Sequence, residues 1–578
     1  MKSEGTSQQK PLRLWPGVVI VITTWLAWLG LPVAVPGNTA TMAGILAGLL
    51  GGLAVVLWWI FFSRAARSER WGAIAMAVIA LAVTSRFLHP SIATAMMGMM
   101  FVFYAIPVMS FAFVAWAVVT HRYPDGFRRA ALVATILLSS GGWILLRTDG
   151  MTGEARHDFA WRWAETAEDR LLSRPGHKFV PMPMDSAALS AEAEWPGFRG
   201  PRRDGIVHGA QIGADWAAIP PVEIWRKAVG PGCSSVAIHG NVFYTQEQRG
   251  EYELVTCYML STGEPVWEHR DSTRFWDAHA GAGPRSTPTL SAGRVYTLGA
   301  TGILNVLDAR NGAVVWSCNA ARDARVKLPG WGYTGSPLVS GGVVLVAVAG
   351  KLIGYDILTG KQRWSGTDGG ESYSSPHLMT IDGVEQVVFM NNAGIAGYTL
   401  VDGSVLWTLP WPGARIVQPA MTSDGDLLVS APDGSGLRRM AVSRGTGGWT
   451  TRERWTSDGI KPYFNDFVVH KGYAYGYDAP GLACIDLRDG KRQWKGGRYG
   501  GQILLLADQD LILVLSEKGE LALVKATPDR FTELARVKSI EGKTWNHPAM
   551  AGDILVVRNT REMVAYRLPA EGVGKKSP

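Results

Sequence analysis

Apolar residues are arranged in two ways along this chain. Up to about residue 148 they form long unbroken runs; from about residue 195 they come in short stretches set off by turns. A bilayer core takes about 20 consecutive apolar residues per helix. Residues 15–35 and 42–62 meet that length, as does 93–119, which is rich in Met and aromatics. Residues 72–88 are shorter and hold Arg86 near their end, and residues 130–146 are interrupted by Ser139, Ser140, Gly141 and Gly142. The pattern predicts a membrane domain of about five transmembrane helices over 1–148, which a single cleaved signal peptide cannot explain.

Charges between the runs predict their direction. The connection at 36–41 is uncharged, the next holds Arg64, Arg67 and Arg70, the third Arg86 alone, and the fourth Arg122, Arg128 and Arg129. Basic loops alternating with nearly neutral ones predict a cytoplasmic N-terminus. With five spans, everything after Arg147 lies outside: a multi-pass protein of the bacterial inner membrane with its C-terminal domain in the periplasm. Four spans would leave that domain in the cytoplasm. A linker over 149–194 follows. Within it residues 158–172 predict an amphipathic helix, with Ala160, Trp163, Ala164, Ala167 and Leu171 on one stripe. Trp161 and Trp163 either rest at a lipid interface or pack beneath the next domain. Pro175, Pro181 and Pro183 mark an extended connection.

The second arrangement is periodic. A polar turn ending in Gly, then three residues, then Trp recurs at Gly263–Trp267, Gly312–Trp316, Gly360–Trp364, Gly403–Trp407 and Gly490–Trp494, with a degenerate copy closing at Trp455. The tryptophans lie about 40 to 50 residues apart, the length of a four-stranded propeller blade. The Gly permits a tight hairpin, and the Trp is placed to wedge between neighbouring blades. Alternating strands such as Val343-Val344-Leu345-Val346 sit upstream of the phrase. Six blades end at these tryptophans, and a seventh, about 502–534, lacks the Trp. The final strands, 554–557 and 563–566, need a partner, which Val222-Glu223-Ile224-Trp225 supplies from the start of the domain. The prediction is an all-β eight-bladed β-propeller over 195–568, with a disordered tail at 569–578.

Composition changes this picture little. The 68 glycines and 24 tryptophans belong to the turns and seams. Most of the net charge of +8 sits in the basic segments flanking the apolar runs, so it is a topological signal rather than a nucleic-acid footprint. The four cysteines form no CxxC, which argues against a zinc knuckle or attached haem. Cys233 and Cys257 fall in one predicted blade, where they either pair or stay as buried thiols.

The repeated phrase resembles the tryptophan-docking motif of the PQQ-like (pyrroloquinoline quinone) β-propeller repeat family, over roughly 195–568. The opening Trp195-Pro196-Gly197-Phe198-Arg199-Gly200-Pro201-Arg202-Arg203-Asp204-Gly205 is similar to the start of many of its members. That family includes the quinoprotein alcohol and glucose dehydrogenases and also a cofactor-free lipoprotein of the outer-membrane assembly machinery. The layout of the membrane half is similar to that of membrane-bound quinoprotein glucose dehydrogenase.

The residues leading into the innermost strands are expected to line one mouth of the channel. They are Arg285, Trp331 with Tyr333, Glu371 with Tyr373, and Arg415 with Gln418. The series continues through Asn465, Asp466, Arg498 and Gln502 to Lys543, Trp545, Asn546 and His547. PQQ with Ca²⁺, if bound as the resemblance implies, needs cations, aromatic faces and oxygen ligands. Arg285, Arg415, Arg498 and Lys543 supply cations, and Trp331, Tyr333 and Trp545 aromatic contacts. Glu371 and Asn465 would ligate calcium, and Asp466 would be the catalytic base. The chain departs from the catalytic members in lacking adjacent cysteines, long insertions and the longer tryptophan-rich signatures. Two functions therefore stand: a quinoprotein-type dehydrogenase passing electrons from a small alcohol or sugar to membrane quinone, and a non-catalytic module binding periplasmic proteins or another ligand at the membrane.

Overall fold

The computed structural model describes residues 12–34, 38–153, 155–174, 179–180, 191–411, 416–431 and 436–571. The chain divides into two compact units, residues 1–164 and 165–578.

In the first unit each apolar run is helical, but three helices, not five, are long and apolar enough to cross a membrane: Trp15–Ala34, Ala40–Phe62 and Met100–Thr120. The expectation of five spans is corrected for a physical reason. The helices Arg67–Thr84 and Asp125–Gly141 open on charged turns, which shortens their apolar length. They are joined by an ion pair, Arg128 to Glu69 at 2.9 Å, with both side chains nearly covered. Trp59 packs edge-on against Phe113 and Trp116 in the core of this unit. The helix expected at 158–172 is also corrected. Residues His157–Trp161 instead form a strand antiparallel to Leu146–Met151, where Phe159 packs against Tyr104 and Trp143. Only Ala167–Leu172 is helical, under a capping box from Thr166 and Asp169. Trp161 and Trp163 stack face to face with both rings exposed.

The second unit is an eight-bladed propeller of four-stranded antiparallel blades, the seventh joined by a short parallel fifth strand, Ile206–Val207. The first seven run through residues 237–271, 289–319, 338–365, 377–410, 420–457, 468–496 and 502–538. The eighth takes three strands from 549–567 and its outer strand, Val222–Ala228, from the start of the unit, with Ala565 opposite Trp225. The ring closes as the alternating strands predict, and the edges that would otherwise stand open are paired. Residues 569–571 are not a free tail: Gly213 N–H donates to Pro569 O at 2.7 Å, and Ala570 bridges Ile212. The rest of that expected tail lies outside the described residues.

The repeated Trp has one structural place. In the outer strand of a blade it stands at the step where strand register shifts, as for Trp316 opposite Val306 and Trp364 opposite Gly354. Its indole N–H donates to a carbonyl of the next blade: Trp267 to Ala309, Trp316 to Ile357, Trp364 to Leu400 and Trp455 to Leu487, at 3.0–3.1 Å. The turn glycine of that next blade lies on the indole face. At Gly312, φ is +71°, and a Cβ would fall 2.5 Å from the Trp267 ring. Any side chain there meets both a strained backbone and an occupied seam. Trp225 holds the same place in the eighth blade, donating to Leu260 O at 2.7 Å. Ala535 holds it in the seventh, opposite Leu523. Trp407 instead donates to Gln386 of its own blade at 2.6 Å, because the long hairpin of the fifth blade replaces the short turn phrase.

Candidate functional site

One polar residue per blade stands at the entry to the innermost strand, two residues before it in seven blades and at its first residue in the seventh blade: Ser235, Thr287, Ser336, Ser375, Gln418, Asp466, Gln502 and His547. Seven are buried and His547 is half-buried. The six from Ser235 to Asp466 form a belt in which the backbone N–H of one donates to the side chain of the next. Ser235 N–H reaches Thr287 Oγ1 at 3.1 Å, Thr287 reaches Ser336 Oγ at 2.9 Å, and Ser336 reaches Ser375 Oγ at 2.9 Å. Ser375 N–H then reaches Gln418 Oε1 at 3.2 Å, and Gln418 N–H reaches Asp466 Oδ1 at 2.8 Å. The ends meet through His547, whose carbonyl accepts from Ser235 Oγ at 2.6 Å and whose ring lies 3.2 Å from Asp466, while Gln502 donates to Phe464 O and Trp545 O. Each of the five N–H links satisfies a buried amide.

The side of the belt toward the inner strands is filled by the opening segment. Trp195 bridges Ile238 of the first blade, Pro196 O accepts from Leu290 of the second at 2.7 Å, and Ile206-Val207 run parallel to Leu505-Leu506 of the seventh. Two buried arginines cross the axis. Arg199 donates to Phe467 O at 2.7 Å and pairs with Asp466 at 3.6 Å. Arg203 donates to Pro376 O at 2.9 Å, to Ser336 O at 3.2 Å and to Pro337 O. Burial alone would raise the Asp466 carboxyl, but Arg199, the His547 bond at 3.2 Å and the Gln418 amide hold it below the usual carboxylate range. Burial, with Arg199, pulls the His547 imidazole down against the pull of Asp466, which favours the neutral ring.

The other side of the belt is open and aromatic. Trp331 lies 4.6 Å from Tyr373 and 5.8 Å from His279, and the His279 carbonyl accepts from Lys543 Nζ at 2.7 Å. That ammonium sits 4.2 Å from the Trp545 ring centre, and Trp545 is 5.2 Å from Phe464. Tyr463 follows, half exposed. Arg285 is buried, donating to Gly281 O at 2.6 Å and paired with Asp277 at 2.5 Å. Burial would raise Asp277, but bonds from His279 and the charge of Arg285 bring it down to about 2. Burial pulls the Lys543 ammonium down to about 8.

Arg285, Trp331, Lys543 and Trp545 thus meet at this mouth. Glu371 is exposed beside Tyr373, and Arg498 is exposed. Tyr333 is in the core between the second and third blades rather than at the mouth. Asn465 is buried, its amide donating to Gly500 O at 3.0 Å and Gly501 O at 2.6 Å. Asn546 likewise donates to Gly232 O and Ser234 O. Asp466 is in the belt, facing the opening segment. Arg415 lies outside the described residues. Cys233 and Cys257 are free thiols, Cys257 in the core and Cys233 half-buried at the mouth. Among the described residues no group of three or more His, Cys, Asp or Glu side chains is arranged to hold a metal ion.

Sequence reading named no belt residue in the first blade, and in the second to fourth it settled two to five residues upstream. The signal was a polar residue followed by Pro: Thr287-Pro288, Ser336-Pro337, Ser375-Pro376, Gln418-Pro419 and His547-Pro548. Proline fits the start of a strand because it has no N–H to give the ladder.

Comparison with known proteins agrees with this geometry. The profile of the family described as "Outer membrane protein assembly factor BamB" matches residues 222–329 and 253–496. The BamB of Yersinia pestis is 25% identical over 321 residues, which cover 52% of this chain and 70% of that protein. Among solved structures, quinohemoprotein alcohol dehydrogenase ADHIIG of Pseudomonas putida HK5 superposes with a TM-score of 0.50 at 15% identity, over 69% of this chain and 84% of its own. That of Comamonas testosteroni gives 0.50 at 14%, over 68% and 83%. The expected placement, a multi-pass inner-membrane protein with a periplasmic propeller, is overturned. The relative that aligns is named for the outer membrane, and the count of three long apolar helices undoes the five-span argument. The fold of the second unit is a PQQ-like, BamB-type β-propeller, resembling both the outer-membrane assembly factor and the propellers of the quinoprotein dehydrogenases.

Proposed function

We propose that this protein is a non-catalytic binding module at a membrane, and that the aromatic mouth of the propeller receives a segment of polypeptide. The observation that carries this reading is how the polar groups of the axis are used. A dehydrogenase would need Asp466 as a free base and Asn465 with Glu371 as oxygen ligands for calcium. Asp466 is instead shared among Arg199, His547 and the Gln418 amide, and Asn465 turns its amide nitrogen onto two carbonyls. These residues do not fit a calcium–PQQ centre. The mouth, by contrast, offers what a peptide needs: flat apolar rings from several blades around fixed charges. The name of the Yersinia pestis relative, an assembly factor for outer membrane proteins, favours a protein as occupant.

The test places a photo-activatable amino acid at Tyr463, on the rim of the mouth, and at Val401, an exposed turn residue at the outer edge of the fourth blade, in the full chain in its own cells. Protein adducts at 463 and none at 401 support the reading. Titration of PQQ with Ca²⁺ completes it: saturable binding near one equivalent, with dye reduction on adding an alcohol, would overturn it in favour of the dehydrogenase.

A further inference from the structure

We infer that one end of the first unit is a docking surface for anionic phospholipid, with its uncommitted arginines receiving the phosphate groups. Five helix ends meet there. Arg13 N–H donates to Ser63 O at 3.1 Å, and its carbonyl accepts from the Trp58 indole at 3.0 Å. These two bonds seat the start of Trp15–Ala34 on the loop that follows Phe62. The Arg128–Glu69 pair joins the first turns of Arg67–Thr84 and Asp125–Gly141. The Trp116 indole, near the close of Met100–Thr120, donates to Arg128 O at 3.0 Å. Among the described residues this end holds the arginines at 13, 64, 67, 70, 122, 128 and 129 against two carboxylates, Glu69 and Asp125.

These arginines fall into two kinds. Arg70 and Arg128 are committed to the protein. Arg70 gives Nη1 to Ile60 O at 2.6 Å and Nε to Ala65 O at 2.7 Å, and Arg128 lies over the Trp116 ring while paired with Glu69. Arg13, Arg64, Arg67, Arg122 and Arg129 are exposed, and among the described residues no carboxylate pairs with any of them. Like charges gathered without counter-charge repel one another. Phosphate supplies that counter-charge, and the guanidinium fork matches its oxygens.

The rings at the same end favour a lipid as the source of the phosphate. Trp15, Phe61, Phe62, Trp71, Tyr123 and Phe127 are each more than half exposed. The Arg13 guanidinium sits 5.4 Å over the Trp15 ring, and Tyr123 and Phe127 pack at 4.9 Å. A soluble phosphate has no use for such rings, whereas the headgroup layer of a bilayer takes them readily. They run on into Trp15–Ala34, Ala40–Phe62 and Met100–Thr120, which are long and apolar enough to cross a membrane. Cations set beside such helices draw anionic headgroups to the protein. Arginines that served only to orient the chain during insertion would show no preference among lipids afterwards. The propeller mouth has no part in this surface.

The experiment reconstitutes the full chain in phosphatidylcholine vesicles. Electron spin resonance then compares how strongly spin-labelled phosphatidylglycerol and spin-labelled phosphatidylcholine are immobilised beside the protein. Phosphatidylglycerol should be favoured about fivefold, the worth of one arginine meeting an anionic headgroup. Arg64→Gln, Arg67→Gln, Arg122→Gln and Arg129→Gln together should bring the ratio below about twofold. High salt on the unaltered chain, where insertion is not in question, should lower it as well. Added glycerol 3-phosphate, the headgroup without its chains, should leave it unchanged. Equal association of the two lipids would overturn the assignment and leave these arginines to an acidic protein. A preference that survives the four substitutions, one that high salt does not reduce, or one that glycerol 3-phosphate abolishes would each overturn it too.

Discussion

The two sides of the polar belt use the same residue types to opposite ends. Toward the inner strands, Arg199 and Arg203 give their N–H groups to main-chain carbonyls of the third, fourth and sixth blades. At the open mouth, Arg285 is tied to one carboxylate, leaves Nε unpaired and faces a thiol, while Lys543 lies over an indole. Arg199 and Arg285 each keep a buried Nε without a hydrogen-bond partner, so the two sides differ in what surrounds the guanidinium: main-chain carbonyls and Asp466 on one, a carboxylate, a thiol and the Phe275 ring on the other. Composition alone cannot separate the two cases; the neighbours can.

The comparison breaks most readily at Arg203. Replacing it with Ala strands three buried carbonyls, and urea unfolding of the full chain in detergent should show a loss of about 3 kcal/mol or more. Arg285→Gln at the mouth should cost less than half of that. Equal losses would mean that both arginines are structural.

A middle-sized effect is expected at Asp466. Its carboxyl is held down in the folded state, so its contribution is present above the unfolded value near 3.9 and is lost as pH falls toward the folded one. Asp466→Asn should therefore cost about 2 kcal/mol at pH 7, and the gap from the unaltered protein should narrow below about pH 4. A gap independent of pH would point to the lost belt bond rather than the charge.

The smallest effect belongs to Lys543. Its folded value near 8 lies below the unfolded 10.4 or so, so the unfolded chain binds more protons between those limits and stability rises with pH across them. Lys543→Gln should leave stability at pH 7 unchanged or slightly higher and flatten that rise by under about 1 kcal/mol, since the side chain is only half-buried.

How much of this was legible in the sequence follows from which interactions are local. The blades were, because the Gly-to-Trp phrase sits within one hairpin, and so was the closing strand at Val222, because an unpaired edge demands a partner. Trp225 went unrecognised as the eighth copy because its hairpin partner lies at the far end of the chain. Asp466, Gln418, Gln502 and His547 were placed at the axis, but their roles were not foreseen. Whether a carboxylate is a base or a clasp depends on Arg199, more than 250 residues away. The charged first turns of Arg67–Thr84 and Asp125–Gly141 were visible, yet their pairing across 59 residues was not.

The borrowed outer strand of the eighth blade also dictates an order of assembly. Val222–Ala228 is made before any blade, and the strand it must join, Glu562–Arg567, emerges among the last residues of the unit. Until both are present the eighth blade lacks its outer strand. Such distant pairing is slow to form. A protease that trims the last blade therefore leaves Val222–Ala228 without its partner and sheet edges unpaired.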